Sequence, residues 1–120
     1  MEATQIASIA ANVLYLAGPE AIDRSKSLFT DYGMSSLDFV DLAFEVRAAS
    51  SKQFQPEALW PVNSMMTNPD LFAGGTWTEA GSRELAKLFD GHAELPGDLS
   101  PSSLHALFSV AYIEHRLRAL

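Results

Sequence analysis

Apolar residues recur at helical spacing between Thr4 and Ala17, where Ile6, Ile9, Ala10, Val13, Leu14 and Ala17 form one stripe before Gly18-Pro19 interrupts it. That period predicts a first helix over 4–17. No period persists from Glu20 to Met34, yet Ile22, Leu28, Phe29 and Tyr32 are spaced through polar residues as anchors for a long loop lying over the core. Ser35 is a good N-cap, with Asp38 three residues on completing an approximate capping box, so a second helix begins near Ser36. At about 100° per residue, Asp38, Asp41 and Glu45 share an arc of roughly 60°, while Leu37, Val40, Ala43 and Phe44 occupy another face. The pattern predicts an acidic solvent face and an apolar face that can be buried. This helix fades through Ala48, Ala49, Ser50 and Ser51, and Phe54 and Pro56 lead into less regular chain.

Residues 55–76 hold Pro56, Pro61, Pro69 and Gly74-Gly75, which argues against a long helix or a central strand and leaves room for a short helical turn. Leu59, Trp60, Val62, Met65, Met66, Leu71 and Phe72 make the segment too apolar for a free linker, so it folds back on the bundle. Thr76 with Glu79 fits a capping box for a further helix carrying Trp77, Ala80, Leu85, Leu88 and Phe89 and closed by Asp90-Gly91. After a polar break through Pro96-Gly97, Ser100-Pro101 starts a last helix that runs from about 101 to the end. Leu104, Leu107, Phe108, Ala111 and Ile113 favour packing of that helix on the bundle over presenting it to a partner. The expected fold is all-α, in a single domain over 1–120 with a helical extension over 91–120.

A length of 120 residues with 48% hydrophobic content supports one core rather than two. Eight Lys plus Arg against fifteen Asp plus Glu give a formal charge of −7, which opposes nucleic acid and anionic membranes and favours basic protein partners. Cysteine is absent, so any thiol chemistry comes from outside the chain. A start without a basic n-region and the lack of an apolar run near 20 residues give a cytoplasmic location as the expectation, with no membrane insertion. His92, His105 and His115 have no metal-ligand spacing, and no Gly-rich phosphate loop occurs.

The candidate chemistry lies in Ser35-Ser36. A serine at a loop-to-helix junction is exposed beside free helix amides, and the positive end of the helix dipole favours a phosphate attached to it. This points to a modification site. An N-cap side chain is engaged with amides ahead of it, so Ser35 is structural and Ser36, at the first helical position, is free to be modified.

With its helix order, anchored loop and Gly33-Met34-Ser35-Ser36-Leu37-Asp38, the chain resembles the acyl carrier protein family over about residues 3–90. The resemblance implies a helical bundle with 4'-phosphopantetheine, drawn from coenzyme A, attached to Ser36 through a phosphodiester. It implies a docking surface at Leu37, Asp38, Asp41 and Glu45 for a phosphopantetheinyl transferase, an acyl or aminoacyl ligase or acyltransferase, and a downstream synthase or transferase. It further implies a protein that is not itself an enzyme and serves lipid or secondary-metabolite biosynthesis. The family's motif aspartate is Ser35 here, and later acidic positions of the helix are Arg47, Ala48 and Ala49. An unmodified binding or regulatory module of the same fold is the alternative. Val40, Phe44, Leu85, Leu88 and Phe89 are expected in the core, with lining of a stored acyl chain as their other possible role.

Overall fold

The computed structural model describes every residue except Pro96 and Asp98. The expected polar break at Pro96 therefore lies in part outside the described residues. Helix α1 (Ala3–Val13) buries Ile6 together with Ala7, Ala10 and Ala11, and the small alanines let neighbouring helices approach closely. It stops short of Ala17 because Tyr15, at φ 59°, turns left-handed. The Tyr15 amide then bonds the Asn12 carbonyl at 3.3 Å and the Leu16 amide bonds the Ala11 carbonyl at 2.8 Å, a Schellman closure made without glycine.

The long loop begins with a single 3-10 turn at Pro19–Ala21 and is held by apolar and polar anchors together. Ile22 and Leu28 are buried, and Phe29 and Tyr32 pack against the core. Ser27 is also buried: its hydroxyl donates to the His105 carbonyl at 2.6 Å and accepts from the Thr30 amide at 3.0 Å. The Leu28 amide donates to the Phe108 carbonyl at 2.8 Å, so this loop is tied to the C-terminal part of the chain.

Helix α2 (Ser36–Ser50) follows, with Ser51 left-handed at its C-cap. Its buried side is Leu42, Ala43 and Val46, with Phe39 packed beside them. Leu37, Val40 and Phe44 are exposed, which corrects the expectation that they join Ala43 in the core. Apolar residues occur on both sides of this helix, so the period alone could not select the buried one.

The irregular segment contains two short helices, α3 (Pro56–Leu59) and α4 (Val62–Met66), and a two-residue hairpin of β1 (Phe72–Ala73) and β2 (Thr76–Trp77). Gly74 and Gly75 both have positive φ, as the tight turn of such a hairpin requires, and Phe72 pairs with Trp77 across it. Thr76 is consequently a strand residue. The cap of α5 (Glu79–Leu88) is Thr78, whose hydroxyl accepts from the Gly81 amide at 3.1 Å, so Trp77 lies outside the helix. Leu85, Leu88 and Phe89 are buried as expected.

The last helix is two. Ser100 caps α6 (Pro101–His105), with proline at the first position as anticipated, and Ser109 caps α7 (Val110–Ala119) by accepting from the Tyr112 amide. Ser109 is a second cap within a run whose apolar residues disguise the break. Both helices pack inward: Leu104, Phe108, Val110, Tyr112, Ile113 and Leu117 are buried. Tyr112 donates its hydroxyl to the Leu59 carbonyl at 2.7 Å, Arg116 bonds the Ala58 carbonyl at 2.9 Å, and Glu114 accepts from the Ala3 amide at 2.8 Å. Phe29, Phe108, Trp60 and Tyr112 form a continuous aromatic cluster, with successive centroids 4.7, 5.2 and 5.2 Å apart, the first pair stacked and the other two edge-to-face. The core thus joins the loop, the irregular segment and the C-terminal helices.

Candidate functional site

Both serines of the pair are exposed, but they are not equivalent. The Ser35 hydroxyl accepts from the Asp38 amide at 3.1 Å, and the Asp38 carboxylate accepts from the Ser35 amide at 3.1 Å, closing a reciprocal capping box. Ser35 is therefore occupied in starting the helix. Ser36 is the first residue of α2, and among the described residues its hydroxyl makes no hydrogen bond. The amides of Ser36 and Leu37 lie in the first turn, where no intrahelical acceptor exists, and the dipole of this 15-residue helix is positive there. A phosphate ester on Ser36 fits that environment.

The solvent face of α2 combines apolar and acidic groups. Leu37 is 79% exposed, and about 100° per residue brings Leu37, Asp41 and Phe44 onto one stripe with Glu45 at its edge. Asp41 and Glu45 are exposed and make no ion pair among the described residues. Asp38 lies at the margin, with its carboxylate turned back into the cap. Arg47 lies with its guanidinium 4.8 Å from the Phe44 ring and bonded at 3.3 Å to the Phe54 carbonyl, and among the described residues it forms no ion pair with these carboxylates.

Beside the serine is a cleft of about 520 Å³ whose lining includes Ser36. Phe29 and Met34 supply its apolar surface, and Thr30, Asn63, Ser102 and His105 supply polar groups. Nothing in the residue spacing marks Asn63, Ser102 or His105, because they reach the serine only through the fold of α4 and α6. Burial holds the His105 imidazole below its usual pKa, so it is neutral at pH 7. Among the described residues no hydrogen bond links Ser36 to His105, and the lining includes no carboxylate, so the parts of an activated nucleophile are not assembled there. His92 and His115 lie outside this cleft, with rings stacked at 5.2 Å; no group of three potential metal ligands occurs among the described residues.

No curated protein and no solved structure matches the chain. The family model described as the phosphopantetheine attachment site matches residues 4–64, just over half of the 120. That segment holds α1, the anchored loop and α2 with its capped serine pair. The chain therefore belongs to the phosphopantetheine attachment site family and is a carrier protein whose covalent cofactor is 4'-phosphopantetheine.

Proposed function

We propose that Ser36 is the attachment residue and that the protein presents an acyl group to enzymes docking on the exposed face of α2. The observation that carries this reading is the division of labour in the serine pair: Ser35 is held in the capping box and Ser36 is exposed and unengaged at a helix N-terminus. When bound, 4'-phosphopantetheine supplies a thiol on a flexible arm, on which the cargo is held as a thioester. The first-turn amides of α2 stabilise the phosphate, and Leu37, Asp41 and Glu45, with Asp38 at their margin, form the docking surface. Leu37 and Phe44 give partners apolar contact, while the carboxylates steer basic surfaces toward the serine.

Carrier domains work with a phosphopantetheinyl transferase and acyl-processing enzymes; here the partners are that transferase, a ligase or acyltransferase, and a downstream synthase or transferase of lipid or secondary-metabolite biosynthesis. Chemistry resides in those partners. Among the described residues no helix is long and apolar enough to cross a membrane. The C-terminal helices act as part of the carrier, since their aromatic residues complete the core beneath the serine.

Intact mass after incubation with coenzyme A and a phosphopantetheinyl transferase tests the reading. One phosphopantetheine per chain is expected. The absence of any adduct with the transferase encoded in the same genome would overturn it.

A further inference from the structure

One wall of the cleft beside Ser36 is supplied by chain that the family match does not cover. Ser102 and His105 come from α6, well past residue 64, and Asn63 stands at the edge of the matched segment. The wall they form is fixed in place: buried Ser27 bonds the His105 carbonyl at 2.6 Å, Leu28 bonds the Phe108 carbonyl at 2.8 Å, and the Phe29 and His105 rings lie 5.0 Å apart. A volume of about 520 Å³ lies within the roughly 300–1,000 Å³ usual for small-molecule sites.

We propose that this cleft is a binding site for the distal arm and a short, uncharged, polar acyl group such as a hydroxyacyl thioester. This rests on attachment at Ser36. Thr30 and Ser102 hydroxyls, the Asn63 amide and the His105 imidazole each offer both a donor and an acceptor, which is what amides and hydroxyls on a ligand require. Among the described residues no carboxylate lines the cleft to pair with the ammonium of a free aminoacyl group. Nor does the site continue inward for a long alkyl chain. Phe29 stacks on Phe108 at 4.7 Å, and Phe39 and Trp60 close on Phe108 at 5.5 and 5.2 Å, so a chain entering there would have to displace a packed aromatic cluster.

Nuclear magnetic resonance of the fully modified protein bearing 3-hydroxybutyryl, β-alanyl or octanoyl thioester analogues tests this. The hydroxybutyryl form should shift the Asn63 side-chain amide, Ser102 and His105 relative to the unmodified protein. Those shifts should be lost in Ser102→Trp, which fills the cleft, and weakened in Asn63→Leu, which removes one polar partner without burdening α6. The β-alanyl and octanoyl forms should perturb these residues less. Shifts confined to Ser36 and its chain neighbours would overturn the proposal, as would octanoyl-induced shifts throughout Trp60 and Phe108. An adduct with a silent cleft defeats only this inference, whereas no adduct at all defeats the Ser36 reading and this inference with it.

Discussion

Phe108→Ala should destabilise the whole protein, although residue 108 lies far beyond the family segment. Its side chain is fully buried and its ring lies 4.7 Å from Phe29, 5.2 Å from Trp60, 5.5 Å from Phe39 and 5.7 Å from Tyr112. These neighbours belong to the long loop, the irregular segment, α2 and α7, and none can collapse into the vacancy without breaking contacts with the others. Truncating a buried phenylalanine to alanine costs about 3–5 kcal/mol from lost transfer energy and the cavity left behind. A stability of roughly 0.05–0.15 kcal/mol per residue puts the 120-residue chain near 6–18 kcal/mol, so the loss is a large share. With a urea slope of about 2 kcal/mol per molar, the unfolding midpoint should fall by roughly 2 M. Urea titration followed by both far-ultraviolet circular dichroism and tryptophan emission measures it, since Trp60 reports from within the cluster. A loss under about 1 kcal/mol, or a midpoint shift seen by only one probe, would refute the view that the C-terminal helices share one cooperative core with the carrier bundle.

Gly81→Ala would ordinarily favour a helix by up to about 1 kcal/mol. Here it should destabilise by about 1–3 kcal/mol, because the added methyl runs into the Leu71 carbonyl oxygen and the Trp77 ring; an unchanged thermal midpoint would contradict this. Asp41→Lys with Glu45→Lys should slow loading by a phosphopantetheinyl transferase about tenfold or more at low salt while leaving the urea midpoint nearly unchanged, and equal rates would remove this face from docking. Burial holds His92 and His105 below the usual imidazole range, with repulsion from His115 a smaller contribution at His92. The unfolded chain therefore binds protons first as pH falls below about 6.5, so this contribution to stability is complete above that pH and is lost down through the lower native pKa values. His92→Gln with His105→Gln should flatten the decline in urea midpoint between about pH 7 and 5 relative to the parent protein; parallel declines would contradict it.

Local signals carried much of the architecture. Ser35 and Asp38 formed the expected capping box, Ser100-Pro101 started a helix where anticipated, and the anchors Ile22 and Leu28 proved buried. Where two readings had similar local support, tertiary packing decided. On α2 it buried Leu42 and Val46 and left Leu37, Val40 and Phe44 in solvent. Thr76 was the expected cap of α5, but the Gly74-Gly75 hairpin claimed it as a strand residue and Thr78 took the cap. Ser109 interrupted a helix whose apolar run carried no turn signal. The serine and its acidic helix were legible because their spacing is local, whereas the cleft is made by side chains from residues 29–105 and has no local signature.

The most direct test of the account is fragmentation mass spectrometry of the modified peptide, with Ser35→Ala and Ser36→Ala variants alongside. The account predicts the adduct on Ser36, its loss in Ser36→Ala, and its retention in Ser35→Ala despite about 1 kcal/mol of lost helix capping. An adduct on Ser35, or one that survives Ser36→Ala, would contradict it.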